Sequence, residues 1–409
     1  MSAARTNLAE IISRIPEEKF SVEKRVLRVL TLTPFYPSIE DDTLGCFVSE
    51  PLSGTARFGI ENEVIAVRPF YRHRAHSVHS EISSNWKTYF SLPGNLGLPT
   101  AGHFLAADLM RKVRKMHRVR AFDLIHAHSA LPCGHAAELL SKNLDIPFVV
   151  SVHGLDAFST QQARGSMETW CRRVSARVYR SAQLVICISD KVRECVARVV
   201  PANTAVVYNG VDTEMFSPTS ETQPAESKSP LIVLSVGNLI PIKGHASLLR
   251  AFGRVITATP NCALEIIGDG PERGNLVRLA RELAITHQVR FLGRQSREQV
   301  SEAMRRCAVF ALPSRYEGLG CVYLEAMASG KPAIGCRGQG IDELIEHGRS
   351  GLLTSAGSET ELSDSLSMLL HNAELRHRIG TQARNTVVER HTLAHQARQL
   401  AEIYRECVR

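Results

Sequence analysis

The chain has 409 residues, 44% apolar and 22% charged, which excludes wholesale disorder, collagen-like repeats and low complexity and leaves room for two or three domains. No run approaches the roughly 18 apolar residues of a membrane-spanning helix, Met1–Lys24 lacks the apolar segment of a secretory signal, and the ten cysteines contain no C-x-x-C pair, so a reduced cytoplasmic protein without a disulfide or zinc framework is expected. The net charge of +8 is uneven, with 26 Lys/Arg against 19 Asp/Glu in residues 1–210 and 23 against 22 in residues 211–409.

Short β-branched runs alternate with amphipathic stretches, which predicts an α/β chain with parallel sheets. Residues 1–24 read as an N-terminal extension. A first domain over 25–216 has expected strands at Arg25–Leu32, Glu63–Val67, Leu124–Ala127, Phe148–Val152 and Leu184–Ser189. Its helices are expected over the basic residues before Ala121 and over Gly134–Lys142, Glu168–Ser181 and Lys191–Val199. The segment 217–230, rich in Ser, Thr, Pro and Glu, reads as a linker. A second domain over 231–385 has strands at Leu231–Val236, Ala263–Ile267, Val289–Leu292, Ala308–Leu312 and Pro332–Gly335. Its helices fall at Ala246–Thr257, Glu272–Leu283, Arg297–Arg306 and Gly320–Ser329, and the chain reads as helical from Gly380 to its end. Two such halves on one linker predict a cleft, because parallel sheets bind ligands beyond the carboxyl ends of their strands.

Six bases fall within Arg111–Arg120, and Arg172, Arg173, Arg177 and Arg180 form a second group. One reading is a solvated helix face. The other is attraction to an anionic membrane surface or a phosphorylated substrate. Nucleic acid is not expected as a partner, since no aromatic-studded basic sheet, helix-turn-helix or zinc module is visible.

The chemistry concentrates in Arg315–Pro332, RYEGLGCVYLEAMASGKP. It follows an apolar strand, opens on Gly318 and Gly320, and continues as a helix ended by Gly330 and Pro332. The free amides of Gly318, Leu319, Gly320, Cys321 and Val322 make a phosphate site at the helix's positive end. Glu317 precedes that site and Glu325 lies about 7.5 Å along the helix. Their spacing suits sugar hydroxyls at Glu317 and ribose hydroxyls at Glu325, against the plainer reading of two exposed glutamates. Lys243 sits in the first loop after the strand SPLIVLSVGN, where an ammonium would neutralise a leaving diphosphate. His153 and Asp156 follow the strand FVVSV. His126 and His128 share a strand face and read as packing or acceptor-side residues. They lack a third metal ligand at suitable spacing, and no D-x-D triplet occurs, so no metal and no cofactor are expected. Gly268, Gly270 and Gly274 miss the dinucleotide spacing, and Glu343 reads as opening a helix.

Glu317 and Glu325 have seven residues between them, and the segment resembles the E-x7-E signature of the retaining glycosyltransferases of family 4. VLTLTPFYP with Gly45 and Phe47 after it, DLIHAH, SVHGLD, VICISD, VVYNGVDTEMF, SVGNLIPIKG, IIGDGP, FLGR and GQGIDELIEHGRSGLL are similar to family motifs, in family order. The resemblance implies a GT-B fold of two Rossmann-like domains facing a cleft, with a C-terminal helix over 386–409 crossing back to the first. It implies metal-independent transfer of a hexosyl group, with retention, from a nucleotide-diphospho-sugar such as a UDP-sugar to a glycan or lipid-linked acceptor. His153, Lys243 and Glu317 would be catalytic, and Asn238, Lys243, the Gly318–Val322 turn and Glu325 would bind donor. Gly45, His128 and Asp156 would lie on the acceptor side. Asn238 stands where many family members have Arg, leaving the diphosphate charge either to Lys243 alone or to Lys243 with Arg315 as helper. A polysaccharide pathway and a cytoplasmic protein, peripheral on the inner membrane face, are the implied setting. A GT-B sugar-nucleotide epimerase and a non-catalytic nucleotide-sugar-binding regulator are the alternatives.

Overall fold

The computed structural model describes residues 25–38, 43–72, 84–154, 165–218 and 230–409. The extension 1–24, most of the expected linker and Asp156 lie outside the described residues.

The first sheet comprises β1 (Leu27–Thr33), β2 (Ile60–Pro69), β3 (Ser84–Tyr89), β4 (Leu124–His128), β5 (Phe148–Val152), β6 (Leu184–Cys187) and β7 (Thr204–Val206). Its order is β3-β2-β1-β4-β5-β6-β7, parallel throughout. The second comprises β8 (Leu231–Val236), β9 (Cys262–Ile267), β10 (Val289–Gly293), β11 (Val309–Ala311), β12 (Ala333–Cys336) and β13 (Leu352–Thr354). Its order is β10-β9-β8-β11-β12-β13, again parallel. Every residue of β4, β5 and β6 is buried, as strands covered on both faces require. Each sheet reverses its winding once, between β1 and β4 and between β8 and β11. The loops that leave these strands part there and open a crevice at their carboxyl ends.

In the first half the described helices are α1 (Cys46–Thr55), α2 (Leu98–Val119), α3 (His135–Leu144), α4 (Ser166–Ser181) and α5 (Asp190–Val199). In the second they are α6 (His245–Val255), α7 (Arg273–Glu282), α8 (Arg297–Arg306), α9 (Cys321–Ala328), α10 (Glu359–His371), α11 (Ala373–Arg390) and α12 (Leu393–Cys407). Leu105 and Leu109 of α2 and Val178 of α4 pack on one face of the first sheet. The opposite face, through Val29, Leu124 and Ile186, is covered by Leu400, Ile403 and Tyr404 of α12. The chain end therefore crosses back and completes the first sheet's core. Each of those side chains contributes about 1.5–3 kcal/mol by burial.

The helix expected from Gly380 onward is two helices, broken at His391 and Thr392. Thr392 caps α12 by accepting from the His395 amide at 3.3 Å, and its backbone pairs in parallel with Val211. A Cβ on Gly210 would lie 2.4 Å from the Thr392 oxygen, so only glycine allows the two crossings to touch. The segment after β1, expected as a loop at Gly45 and Phe47, becomes α1 from Cys46. Gly45 turns into it with φ of +75°, and a Cβ there would meet the Phe35 backbone at 2.3 Å. Pro51 inside α1 and the weak helix formers around it hide that helix from periodicity, and packing against α12 imposes it. β3, β7 and β13 escape the pattern because they are edge strands, of which β7 and β13 are only three residues long.

Gly210→Ala should destabilise the fold by about 1–3 kcal/mol, the scale for overpacking a filled contact. Chemical denaturation checks this, and a midpoint equal to wild type would contradict the close approach.

Candidate active site

The carboxyl ends of the two sheets enclose a cleft cavity of about 450 Å³. Its first wall is the α1 entry, Thr43 to Phe47, and its second carries Asn238, Lys243, Arg294, Arg297, Glu317, Gly320, Cys321, Val322 and Glu325. The winding explains this set. Lys243 ends the 3₁₀ turn after β8 and Glu317 lies in the loop after β11, the two strands at the second sheet's reversal. The Arg315 amide donates to the Ile242 carbonyl at 2.8 Å and holds the two loops together.

Lys243 Nζ stands 2.6 Å from Glu317 Oε2, with both side chains largely buried. Ser314 Oγ donates to the same oxygen at 3.2 Å. The Glu317 amide donates to Gln339 Oε1 at 3.1 Å, and its carbonyl accepts from the Gly340 amide at 3.0 Å. Glu317 is thus held through its amide, its carbonyl and one carboxylate oxygen. Glu325, on α9, accepts from Arg297 Nη1 at 3.2 Å. Burial raises the Glu325 pKa, and Arg297 acts against that rise. Gly320 opens α9 in the left-handed region, with φ of +84°. Cys321 Sγ accepts from Asn209 Nδ2 at 3.1 Å.

Several expectations need correction. The Leu319 side chain is fully buried in the core, so it takes no part in the cleft wall and only its backbone amide is left for the expected site. Gly318 packs against Gly154 and the His153 carbonyl rather than facing the cavity. Arg315, the expected helper, reaches toward Gly357, and Arg294 and Arg297 supply the arginines of the cleft wall instead. Glu343 does not open an α-helix. It ends a 3₁₀ turn and accepts from the Asp190 and Lys191 amides at 2.8 Å each and from Tyr208 Oη at 2.9 Å. It thereby caps α5 of the first half, where its charge favours the helix dipole.

His153 lies beside the Gly318 loop, but it lines a separate chamber of about 20 Å³ together with His126 and His128. Phe47 lines both the chamber and the cleft, and its ring centroid is 4.9 Å from that of His153. His128 Nδ1 and His153 Nε2 are 2.8 Å apart. His126 uses both ring nitrogens, one with Tyr404 Oη and one with Ser151 Oγ, each at 2.7 Å. This satisfied pair of contacts ties the strand to α12 and leaves His126 no nitrogen for a metal. Among the described residues no three His, Cys, Asp or Glu side chains are grouped to hold a metal ion. Burial pushes His126 and His153 down to about 3 and holds His128 well below its ordinary value. All three rings are therefore neutral near pH 7.

Sequence reasoning missed Arg297, Glu50 and the role of Phe47. Arg297 reads only as the first residue of a helix, and nothing in its neighbours signals contact with residues about 250 positions earlier.

The sequence profile described as glycosyl transferases group 1 matches residues 217–386, and that of glycosyltransferase family 4 matches residues 52–215. N-acetyl-alpha-D-glucosaminyl L-malate synthase of Bacillus anthracis is 29% identical over 74% of this chain and 79% of its own. D-inositol 3-phosphate glycosyltransferase of Corynebacterium jeikeium is 30% identical over 64% of this chain and 67% of its own. Among solved structures, Anabaena HepE in complex with UDP-glucose superposes with a TM-score of 0.72 at 22% identity, covering 93% of this chain and all of that one.

Neutral buried histidines make the fold sensitive to acid, because the unfolded chain binds protons that the folded one does not. Stability should fall as pH drops from about 6.5 toward 3, by about 1.4 kcal/mol per pH unit for each such ring. His126→Gln should remove about one ring's share of that slope in denaturation series between pH 4.5 and 6. An unchanged slope would show that His126 is already charged.

Proposed function

The chain belongs to the group 1 glycosyltransferases of family 4 and is a hexosyltransferase of the GT-B fold, and we propose that it transfers its hexosyl group from a nucleotide-diphospho-sugar with retention and without a metal. The observation that carries this reading is the second cleft wall. There the glycine-opened N-terminus of α9, the Lys243 ammonium and two buried carboxylates face one cavity. The diphosphate lies against the α9 amides and Lys243. Glu325 accepts from the ribose hydroxyls and Glu317 from the sugar. HepE, solved with UDP-glucose, supports a uridine nucleotide. An acceptor hydroxyl approaches from the α1 side past Gly45, while His128, buried in the histidine chamber, does not line that approach. Its oxygen bonds to the anomeric carbon on the face from which the diphosphate oxygen departs. The leaving phosphate takes the acceptor proton, and Lys243 and the α9 amides hold its charge. His153, neutral and next to the Gly318 loop, meets the sugar once Phe47 shifts. Asn238, exposed on the cleft wall, gives the phosphate a neutral hydrogen bond in place of a charge.

Lys243→Ala should lower turnover about 10²–10³-fold while the fold is kept, the scale for losing one preorganised stabiliser of developing charge. Wild-type turnover should be unchanged in excess EDTA. Near-wild-type rates in Lys243→Ala, or a loss in EDTA restored by manganese, would contradict the assignment.

We also propose that the first half docks on an anionic bilayer and takes a lipid-linked acceptor there. The outward face of α2 carries exposed Arg111, Lys115 and Arg118. At its N-terminal end Phe104 meets Phe90 at 5.0 Å, and Phe90 stacks on Phe70 at 5.5 Å, all three exposed. Bases beside exposed aromatics suit a lipid interface, each base adding about 1 kcal/mol. The protein should co-sediment with phosphatidylglycerol vesicles at low salt and dissociate as screening shortens from about 10 Å at 0.1 M to about 3 Å at 1 M. Changing Arg111, Lys115 and Arg118 to Glu should release it. No binding, or binding untouched by the reversal, would show a solvated helix.

A further inference from the structure

One guanidinium joins the two halves across the cleft. Arg297, the first residue of α8, is itself almost buried. Its Nη2 stands 2.9 Å from Glu50 Oε1 of α1, and its Nη1 stands 3.2 Å from Glu325 Oε1 of α9. The same Nη1 donates to Cys46 Sγ at 3.2 Å. The guanidinium carbon lies 5.3 Å from the ring centroid of Phe216, which is fully buried just before the chain passes to the second sheet. Arg297 therefore touches the first half twice, the donor wall once and the connecting segment once.

The chemistry of a fork makes this arrangement specific. Arginine presents donors in a rigid plane and can satisfy two carboxylates at once, whereas a lysine is a point charge. Glu50 and Glu325 share this one cation. Without it, the buried Glu325 carboxylate and the partly buried Glu50 carboxylate would lie near each other with no cation between them, which costs more than the pair returns when intact. The cleft cannot stay closed in that state unless one carboxylate takes a proton.

We propose that Arg297 is a positioning residue that couples the orientation of Glu325 to closure of the cleft, with Glu50 as its counterpart on the first half. Glu325 is aimed only while Arg297 is anchored, and Arg297 is anchored only while α1 is docked. α1 also carries Phe47, whose ring covers His153, so the latch reaches both sides of the cleft. The role assigned to Glu325 rests on the transferase reading above, while the latch stands on geometry alone.

Closure should also be linked to protons. Arg297, Glu325, Asp212 and Cys46 are the ionisable groups around Glu50. Burial raises the Glu50 carboxyl to about 7, with Arg297 lowering it and Glu325 and Asp212 raising it further. Opening returns Glu50 to water and to about 4.3. The closed form thus holds a proton that the open form releases, and closure weakens as pH rises through this window.

The test uses the full chain with three readouts. Small-angle scattering of the ligand-free protein reports closure, calorimetry with UDP reports the donor wall, and UDP-glucose turnover reports chemistry. Glu50→Ala should open the ligand-free protein and lower kcat about tenfold, with UDP affinity within about twofold of wild type. Arg297→Met should open it as well and weaken UDP at least tenfold, the scale for losing a charged hydrogen bond. Arg297→Lys should restore UDP binding in part without restoring closure. Wild type should open progressively between about pH 4.5 and 7 and change little above that, and Glu50→Gln, uncharged throughout, should show no such response. Wild-type scattering in Glu50→Ala, or a pH response kept in Glu50→Gln, would overturn the latch. A wild type that opens with pH but neither binds UDP nor turns over a donor would overturn the transferase reading and leave the latch standing.

Discussion

The two sheets face each other because the chain crosses between them twice and the crossings bond to one another. The Val211 amide donates to the His391 carbonyl at 2.9 Å, and the Leu393 amide donates to the Val211 carbonyl at 3.2 Å. Gln396 on α12 accepts from the Gly210 amide at 2.7 Å. With the outgoing and returning strands pinned, the carboxyl ends of both sheets have one place to meet. α12 then covers a sheet face otherwise open to water. Tyr404 is fully buried there and bonds to His126, so the returning helix and the histidine chamber form one structure.

Within the cleft, two glutamates on one short segment have different surroundings. Glu317 is held by Lys243, Ser314 and Gln339, all in the second half. Glu325 depends on Arg297, which is shared with the first half. One carboxylate is fixed whatever the halves do, and the other is set by their approach. The division suits a donor whose phosphates and sugar are held by one half while its reaction awaits contact with the other.

Much of this was legible in the sequence. Strand and helix alternation is strong where both faces of a strand are buried, as in β4 to β6. The glycines around α9 mark a turn with an open helix end, and the E-x7-E spacing places both acids on one wall. What escaped depends on distant contacts. α1 contains Pro51 and no clear period, and it is helical because α12 and the first sheet pack around it. Leu319 sits among cleft-lining neighbours in sequence, yet its side chain turns into the core. Arg297 carries no local sign of its partners, since Glu50 and Cys46 belong to the other half. Glu343 read as a helix opener is correct in its physics, because it does complement a helix dipole, but the helix is α5, about 150 residues earlier.

The division of labour between the two acids is tested most directly by calorimetry of UDP binding to Glu317→Ala and Glu325→Ala. Glu325→Ala should lose affinity for UDP because the ribose acceptor is gone. Glu317→Ala should keep it, since a free nucleotide has no sugar to meet, while its transfer from UDP-glucose fails. Equal losses of UDP affinity in the two variants would contradict the assignment of nucleotide to one carboxylate and sugar to the other.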